Sequence, residues 1–180
     1  MANEVQVQQK QGIASYLGSE AVKKNITNVV GEKDSQRFIS SVVSAVQTNP
    51  QLAECTNSSI LSAALLGQSL NLPQSPQLGM FYFVPYKSKE KGVTEAQFQI
   101  SYKGLMNLAI RSGQYKKINA IEVKEGELLS YNPFEDTYEL KPETDFNKRK
   151  ELPTIGYYGF FELLNGYRKE LYWSKEEIET

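Results

Sequence analysis

A chain of 180 residues with 40% hydrophobic and 11% aromatic content is long enough to close one good-sized core. There is no histidine and a single cysteine, Cys55, which removes intramolecular disulfides, the common zinc sites, histidine general bases and Ser-His-Asp or Cys-His catalysis. The net charge of -1 hides a segregation: residues 1–80 carry five basic and five acidic side chains, 81–124 carry eight and three, and 125–180 carry seven and thirteen.

The N-terminus, from Met1 to Lys10, is polar and lacks the apolar run of a signal peptide, and no stretch is long and apolar enough to span a bilayer. With one cysteine, this predicts a soluble protein of a reducing cytoplasm. The first third predicts helices: Ile13 to Val30, broken by Gly31; Ser35 to Gln47, with Phe38, Ile39, Val42, Val43 and Val46 on one stripe before Asn49-Pro50; and a third capped by Asn57 or Ser58 and running to Leu70.

The period then changes. Leu78 to Val84 predicts a strand, and Ala96 to Tyr102 alternates strictly, with Ala96, Phe98, Ile100 and Tyr102 on one face and Gln97, Gln99 and Ser101 on the other. The charged loop Lys87 to Glu95 joins them as a hairpin. A helix from Gly104 to Ser112 follows, with Leu105, Leu108 and Ala109 inward and Gly113 at its end. Lys117 to Val123 predicts a third strand, and Leu128 to Tyr131 and Tyr138 to Leu140 shorter ones. Lys141 to Glu151 reads as a mobile loop. Thr154 to Leu164 and Tyr167 to Trp173 flank Asn165-Gly166, the signal of a type I′ hairpin. Ser174 and Glu177 form a capping box, and the chain ends three residues later, which reads as a fragment of a longer protein. The fold class predicted is α+β: N-terminal helices packed on a mixed, mostly antiparallel sheet with hairpins and an inserted helix.

Residues 81–124 combine cations for phosphates, flat side chains for bases, and amides and hydroxyls for the backbone, which is what sequence-independent binding of single-stranded nucleic acid needs. Lys103, where a strand passes into a helix, is placed to share a phosphate with the first-turn N–H groups. Arg111, Lys116 and Lys117 flank the other end of that helix, and no acidic residue interrupts Ala96 to Ile121. Gln99 and Ser101, with Asn107 and Asn119 nearby, suit a phosphate track, although a row of this kind also fits the solvated face of a half-buried hairpin. Of the aromatics, Tyr86, Tyr102 and Tyr115 end strands or sit in loops and are the candidates for stacking on bases. Lys87, Lys89 and Lys91 alternate beside Glu90 and Glu95, so solubility explains them as well as phosphate binding does.

Pro76-Gln-Leu-Gly-Met-Phe-Tyr-Phe-Val-Pro-Tyr86, followed by Gln99-Ile-Ser-Tyr-Lys-Gly-Leu-Met-Asn-Leu-Ala-Ile-Arg-Ser-Gly-Gln-Tyr115, resembles the core signature of the RecT/Redβ family of phage single-strand annealing proteins, in its RecT branch. Ser62 to Pro73 is similar to the helix that precedes it, and the resemblance spans about Asp34 to Trp173. It implies ATP-independent annealing in homologous recombination, retention of the annealed duplex, and self-assembly into rings or helical filaments in the cytoplasm of a bacterial host. It also implies partnership with a phage 5′→3′ exonuclease and a host single-strand-binding protein, through a C-terminal domain that this chain stops short of. On matching positions its basic groove would include Lys103, Arg111, Lys116 and Lys117. The domain reading is an N-terminal arm and helix over 1–33, with oligomer contact as its expected use, an annealing core over 34–173, and the start of a truncated helix over 174–180.

Three rivals have discriminators. Glu122-Val-Lys124 has the Glu-x-Lys spacing of Mg²⁺-dependent nucleases, but the carboxylates just upstream, Glu90 and Glu95, fall in a loop. A simple single-strand binder or a protein-interaction module without annealing activity is the other alternative, the second favoured by the acidic C-terminal third. Neither GxxxxGK[ST] nor GxGxxG occurs, so no nucleotide is expected; no metal-ligating set or other cofactor is assigned, the Mg²⁺ dependence of annealing stays open, and the protein reads as a non-enzyme.

Overall fold

Ser19 interrupts the first helical stretch: its backbone is extended and its hydroxyl donates to the Tyr16 carbonyl at 2.8 Å, the kind of local bond with which serine competes against helix. The single helix expected over 13–30 is therefore two, α1 (Ile13–Gly18) and α2 (Glu20–Val30), which bury Leu17 and Ile26. The computed structural model describes residues 11–75 and 77–179. The first ten residues of the expected N-terminal arm, Pro76 of the quoted signature, and Thr180 lie outside the described residues. The chain divides into two compact units, residues 1–108 and 109–180.

In the first unit, Gly31 ends α2 at φ 86° and α3 (Glu32–Thr48) begins with Glu32 and Asp34 near its positive end. Phe38, Ile39, Val42, Ala45 and Val46 form its buried stripe. Asn49 accepts a bond from the Gln51 N–H and starts a 3-10 turn, Pro50–Glu54, that buries Leu52. α4 (Asn57–Ser69) is capped one residue earlier than expected, by Thr56, whose hydroxyl accepts from the Ser59 N–H at 3.3 Å. It ends with Asn71 at φ 51° and a bond from the Leu72 N–H to the Gly67 carbonyl at 3.1 Å, a Schellman closure that tucks Leu72 into the core.

β1 (Phe81–Ser88) and β2 (Val93–Ile100) pair antiparallel from Phe81 opposite Ile100 to Ser88 opposite Val93. The connecting loop is thus shorter than Lys87 to Glu95, because pairing continues past both ends of that stretch. α4 lies directly on this hairpin: a Cβ at Gly67 would fall 2.4 Å from the Phe81 ring. Ser59 holds the register by accepting from the Ala96 N–H at 2.8 Å. α5 (Tyr102–Ser112) follows. Its docking point is Gly104, where a Cβ would meet the Met80 carbonyl and the Ile100 side chain. Leu108, one turn on, packs against the core; Leu105 is off that face and 56% exposed rather than inward.

In the second unit, β3 (Tyr115–Lys124), β6 (Thr154–Leu163) and β7 (Arg168–Ser174) form an antiparallel sheet in the order β3-β6-β7. β4 (Leu128–Asn132) and β5 (Thr137–Leu140) pair separately. Where one mixed sheet is expected, the described residues form three separate antiparallel ones within an α+β arrangement. The turn between β6 and β7 is at the expected place but not of type I′: Gly166 has φ 87°, whereas Asn165 is not among the positive-φ residues. The Gly166 N–H bonds to the Leu163 carbonyl at 3.0 Å, and Asn165 uses its side chain to accept from the Tyr167 N–H at 2.9 Å, so only the glycine needs the left-handed region.

The stretch expected as a mobile loop, 141–151, contains α6 (Phe146–Glu151), capped by Asp145. Its anchor is Arg149. Arg149 donates to Glu127 through Nε at 2.6 Å and Nη2 at 3.0 Å, and to the Glu122 carbonyl at 2.7 Å. Glu127 is 4% exposed and also accepts from the N–H groups of Lys124 and Glu143. The Arg149 bond is the main cause that holds its carboxyl down at about 2, against the opposing effect of burial. α7 (Lys175–Glu179) has the expected capping box between Ser174 and Glu177. Among the described residues, no helix is long and apolar enough to cross a membrane.

Candidate nucleic-acid interface

Strand register sorts the candidates of the first unit. On the outer face of the β1–β2 hairpin, Tyr82 stands opposite Gln99, Val84 opposite Gln97 and Tyr86 opposite Glu95. Tyr86 and Gln99 therefore share a face, and they share it with Tyr82, which is half exposed. Alternation with the buried Phe81 and Phe83 could have identified Tyr82 from sequence. Lys87, opposite Thr94, belongs to the other face at the far end of the hairpin, so pairing does not bring it to Gln99. Lys91 is tied to Glu95 at 3.0 Å.

Ser101 is engaged by the fold. Its hydroxyl is shared between the Gly79 and Met80 carbonyls and accepts from the Gly104 N–H at 3.2 Å, which makes it the cap of α5. That bond occupies one of the first-turn donors expected to meet a phosphate, and the Ser101 N–H is taken by the Met80 carbonyl at 3.0 Å. The cap and the close docking of Gly104 fix the first turn, and Tyr102, 73% exposed, and Lys103 project from it into solvent. Lys103 makes no ion pair among the described residues. Asn107 is half-buried, one turn after Lys103.

In the second unit, Arg111 is exposed in the last turn of α5. Lys117 and Asn119 are exposed and point to the sheet face that carries their register partners, Glu162 and Phe160. Tyr115 belongs to the opposite face, where its ring meets that of Phe161 edge-on at 5.7 Å. The acid-free run around Lys116 does not survive folding: Glu162, 46 residues away, is 2.6 Å from the Lys116 ammonium. Lys116 is the main cause that holds the Glu162 carboxyl below its usual range, with attraction from Lys117 and Arg168 adding to it.

Arg168, which the acidic composition of the last third concealed, belongs to the same group. It lies 4.1 Å over the Phe160 ring, donates to Glu170 at 2.6 Å and to the Tyr158 hydroxyl at 3.2 Å.

Lys124 leaves the basic block altogether. It is 8% exposed, and its ammonium lies 3.1 Å from Glu122 and 3.0 Å from the Thr154 hydroxyl. In the Glu-x-Lys pair both partners are thus bonded to each other, and the next carboxylate, Glu127, is filled by Arg149. Among the described residues, no three of His, Cys, Asp and Glu converge as a metal site.

Comparison with known proteins supplies the remaining observation. A family model described as RecT family matches residues 36–180. The chain is 39% identical over 173 residues, 95% of its length and 57% of the relative's, to a protein of Bacillus subtilis (strain 168) described as uncharacterized protein YqaK. It is 27% identical over 122 residues, 66% of this chain and 45% of the other, to Protein RecT of Escherichia coli (strain K12). The chain spans about half the length of these curated relatives.

Proposed function

The chain belongs to the RecT family, and from that premise we propose that it binds single-stranded DNA and anneals complementary strands in recombination without hydrolysing nucleotide. Family membership over residues 36–180 is the observation that carries this reading. The exposed cations and flat side chains support it in each unit separately: Lys103 with Tyr102, Tyr86, Tyr82 and Gln99 in the first, and Arg111, Lys117 and Asn119 in the second. Cations meet phosphates, tyrosine rings offer sequence-tolerant stacking, and neutral amides bond the sugar-phosphate backbone. Strands held by their backbone keep their base edges free, so base pairing itself drives annealing. The protein holds the new duplex, assembles with copies of itself, and works beside a 5′→3′ exonuclease and a single-strand-binding protein, as the family resemblance implies. It acts in the cytoplasm.

Titration of a labelled oligo-dT with protein across a salt series tests the binding half. Neutralising about four phosphates per subunit gives a slope of log affinity on log salt of about -3, from roughly 0.7 per phosphate of a single strand. A flat response contradicts the reading, and degradation of the oligonucleotide on adding Mg²⁺ would replace it with the nuclease alternative.

A further inference from the structure

In a regular strand Lys116 and Lys117 would point to opposite faces of the sheet. In β3 they do not, because the register slips between Tyr115 and Lys117, and this bulge lets both consecutive lysines act on one carboxylate, Glu162. Glu162 occupies the central strand. Its register partner on one side is Lys117 and on the other Arg168, while the Lys116 ammonium lies 2.6 Å from its Oε1. The Glu162 side chain is 17% exposed and that of Lys116 55%, so the carboxylate is set into the sheet and the ammonium closes over it from the solvent side. Arg168 is already held by Glu170, Tyr158 and the Phe160 ring. Three cations therefore face two carboxylates, and the anion at their centre stands where a phosphate oxygen would have to sit.

We infer that Glu162 is a specificity-determining residue of the proposed single-strand interface: its carboxylate occupies Lys116 in the free protein and is displaced only by a continuous strand, not by a lone phosphate. This rests on the DNA-binding reading above. A single phosphate that exchanges places with the carboxylate gains little, because the displaced Glu162 remains close and repels it. A strand brings further phosphates to Lys117 and to neighbouring cations, and its tethered charges act at high effective concentration. Glu162 is a positioning and competing group that touches DNA through the cation it releases.

The test is anisotropy of a labelled oligo-dT over a salt series, with and without inorganic phosphate as competitor, for the wild-type chain and Glu162→Gln. The variant is expected to bind about fivefold more tightly at low salt, since no carboxylate competes with the strand for Lys116. Its slope should match that of the wild type, because Lys116 neutralises a phosphate in both complexes and only the competing carboxylate is gone. Inorganic phosphate should compete measurably with the oligonucleotide on the variant and not on the wild type. Unchanged or weaker binding by a variant with wild-type thermal unfolding overturns the inference and leaves the DNA reading standing. Absence of salt-dependent binding by the wild-type chain removes both. The wild-type protein gives a second measurement that needs no variant: the carboxyl carbon resonance of Glu162, followed through a pH titration. Its pKa, depressed by Lys116 in the free protein, should rise when oligo-dT is added, and a pKa that stays depressed in the complex means that Lys116 never leaves and overturns the inference.

Discussion

In the first unit, four helices and a hairpin close over Leu17, Ile26, Val42, Ile60, Leu72 and the Phe81 ring, a core whose cohesion comes from apolar area. In the second, Val123 and Tyr158 are the hydrophobic side chains buried to the same degree among the described residues. Its cohesion comes from elsewhere: the Arg149–Glu127 pair that fixes α6 against the β3–β4 turn, the Lys124–Glu122–Thr154 contacts, and Tyr138, stacked on Tyr131 at 4.8 Å and set against Tyr158 and Tyr172. Apolar area responds weakly to pH and salt, whereas charges in a thin sheet respond to both. The unit with the weaker apolar core is also the one in which the candidate DNA contacts and their counter-charges are interleaved, so under the proposed function ligand and fold would compete there for the same lysines.

Truncating the packed ring at Phe81 should break the first side of this contrast most severely. Phe81→Ala removes the side chain that meets Phe83, Phe98 and Gly67, and is expected to cost about 3–5 kcal/mol, read as lost helical ellipticity on denaturation. Glu127→Ala attacks the second side. It leaves the Arg149 guanidinium and the Lys124 and Glu143 N–H groups without their acceptor, for a loss of about 2–4 kcal/mol. Trp173, the single tryptophan, lies in β7 and reports that loss by fluorescence.

Acid sharpens the comparison. The folded pKa of Glu127, about 2, is below its ordinary 4.5, so its contribution is present above that ordinary value and disappears as pH falls from about 4.5 towards 2. Glu122, Asp136, Glu143 and Glu162, all in the second unit, are lowered in the same direction by lysine partners. The Trp173 signal should therefore shift at a higher pH than the helical signal, and coincident transitions would show that the two units do not differ in this way. The smallest effect is at the cap of α6: Asp145→Ala should cost about 1 kcal/mol, seen as a modest shift of the same fluorescence midpoint.

How far sequence carried the structure follows the same division. The stripe from Phe38 to Val46, the alternation of Ala96, Phe98 and Ile100, and the break at Asn165-Gly166 are local patterns, and local patterns are what periodicity reads. α6 was not legible, because Phe146 is its one apolar residue and its anchor, Glu127, is 22 residues away. Lys116 looked free for the same reason, its partner Glu162 being on another strand. The burial of Lys124 is not legible either, because Thr154, which encloses it together with Glu122, is 30 residues away. The exposure of Lys103 at the first turn of α5 is legible in sequence, since Ser101 and Gly104, both within two residues of it, decide where it points.

The most direct test of the account is the rate at which two complementary labelled oligonucleotides pair when protein is added without any nucleotide. The wild-type chain should accelerate pairing and hold the product, while Lys103→Ala and Arg111→Ala should remain folded by ellipticity and Trp173 fluorescence and lose the acceleration. Pairing no faster with the wild-type protein than without it, or undiminished in both variants, would contradict it.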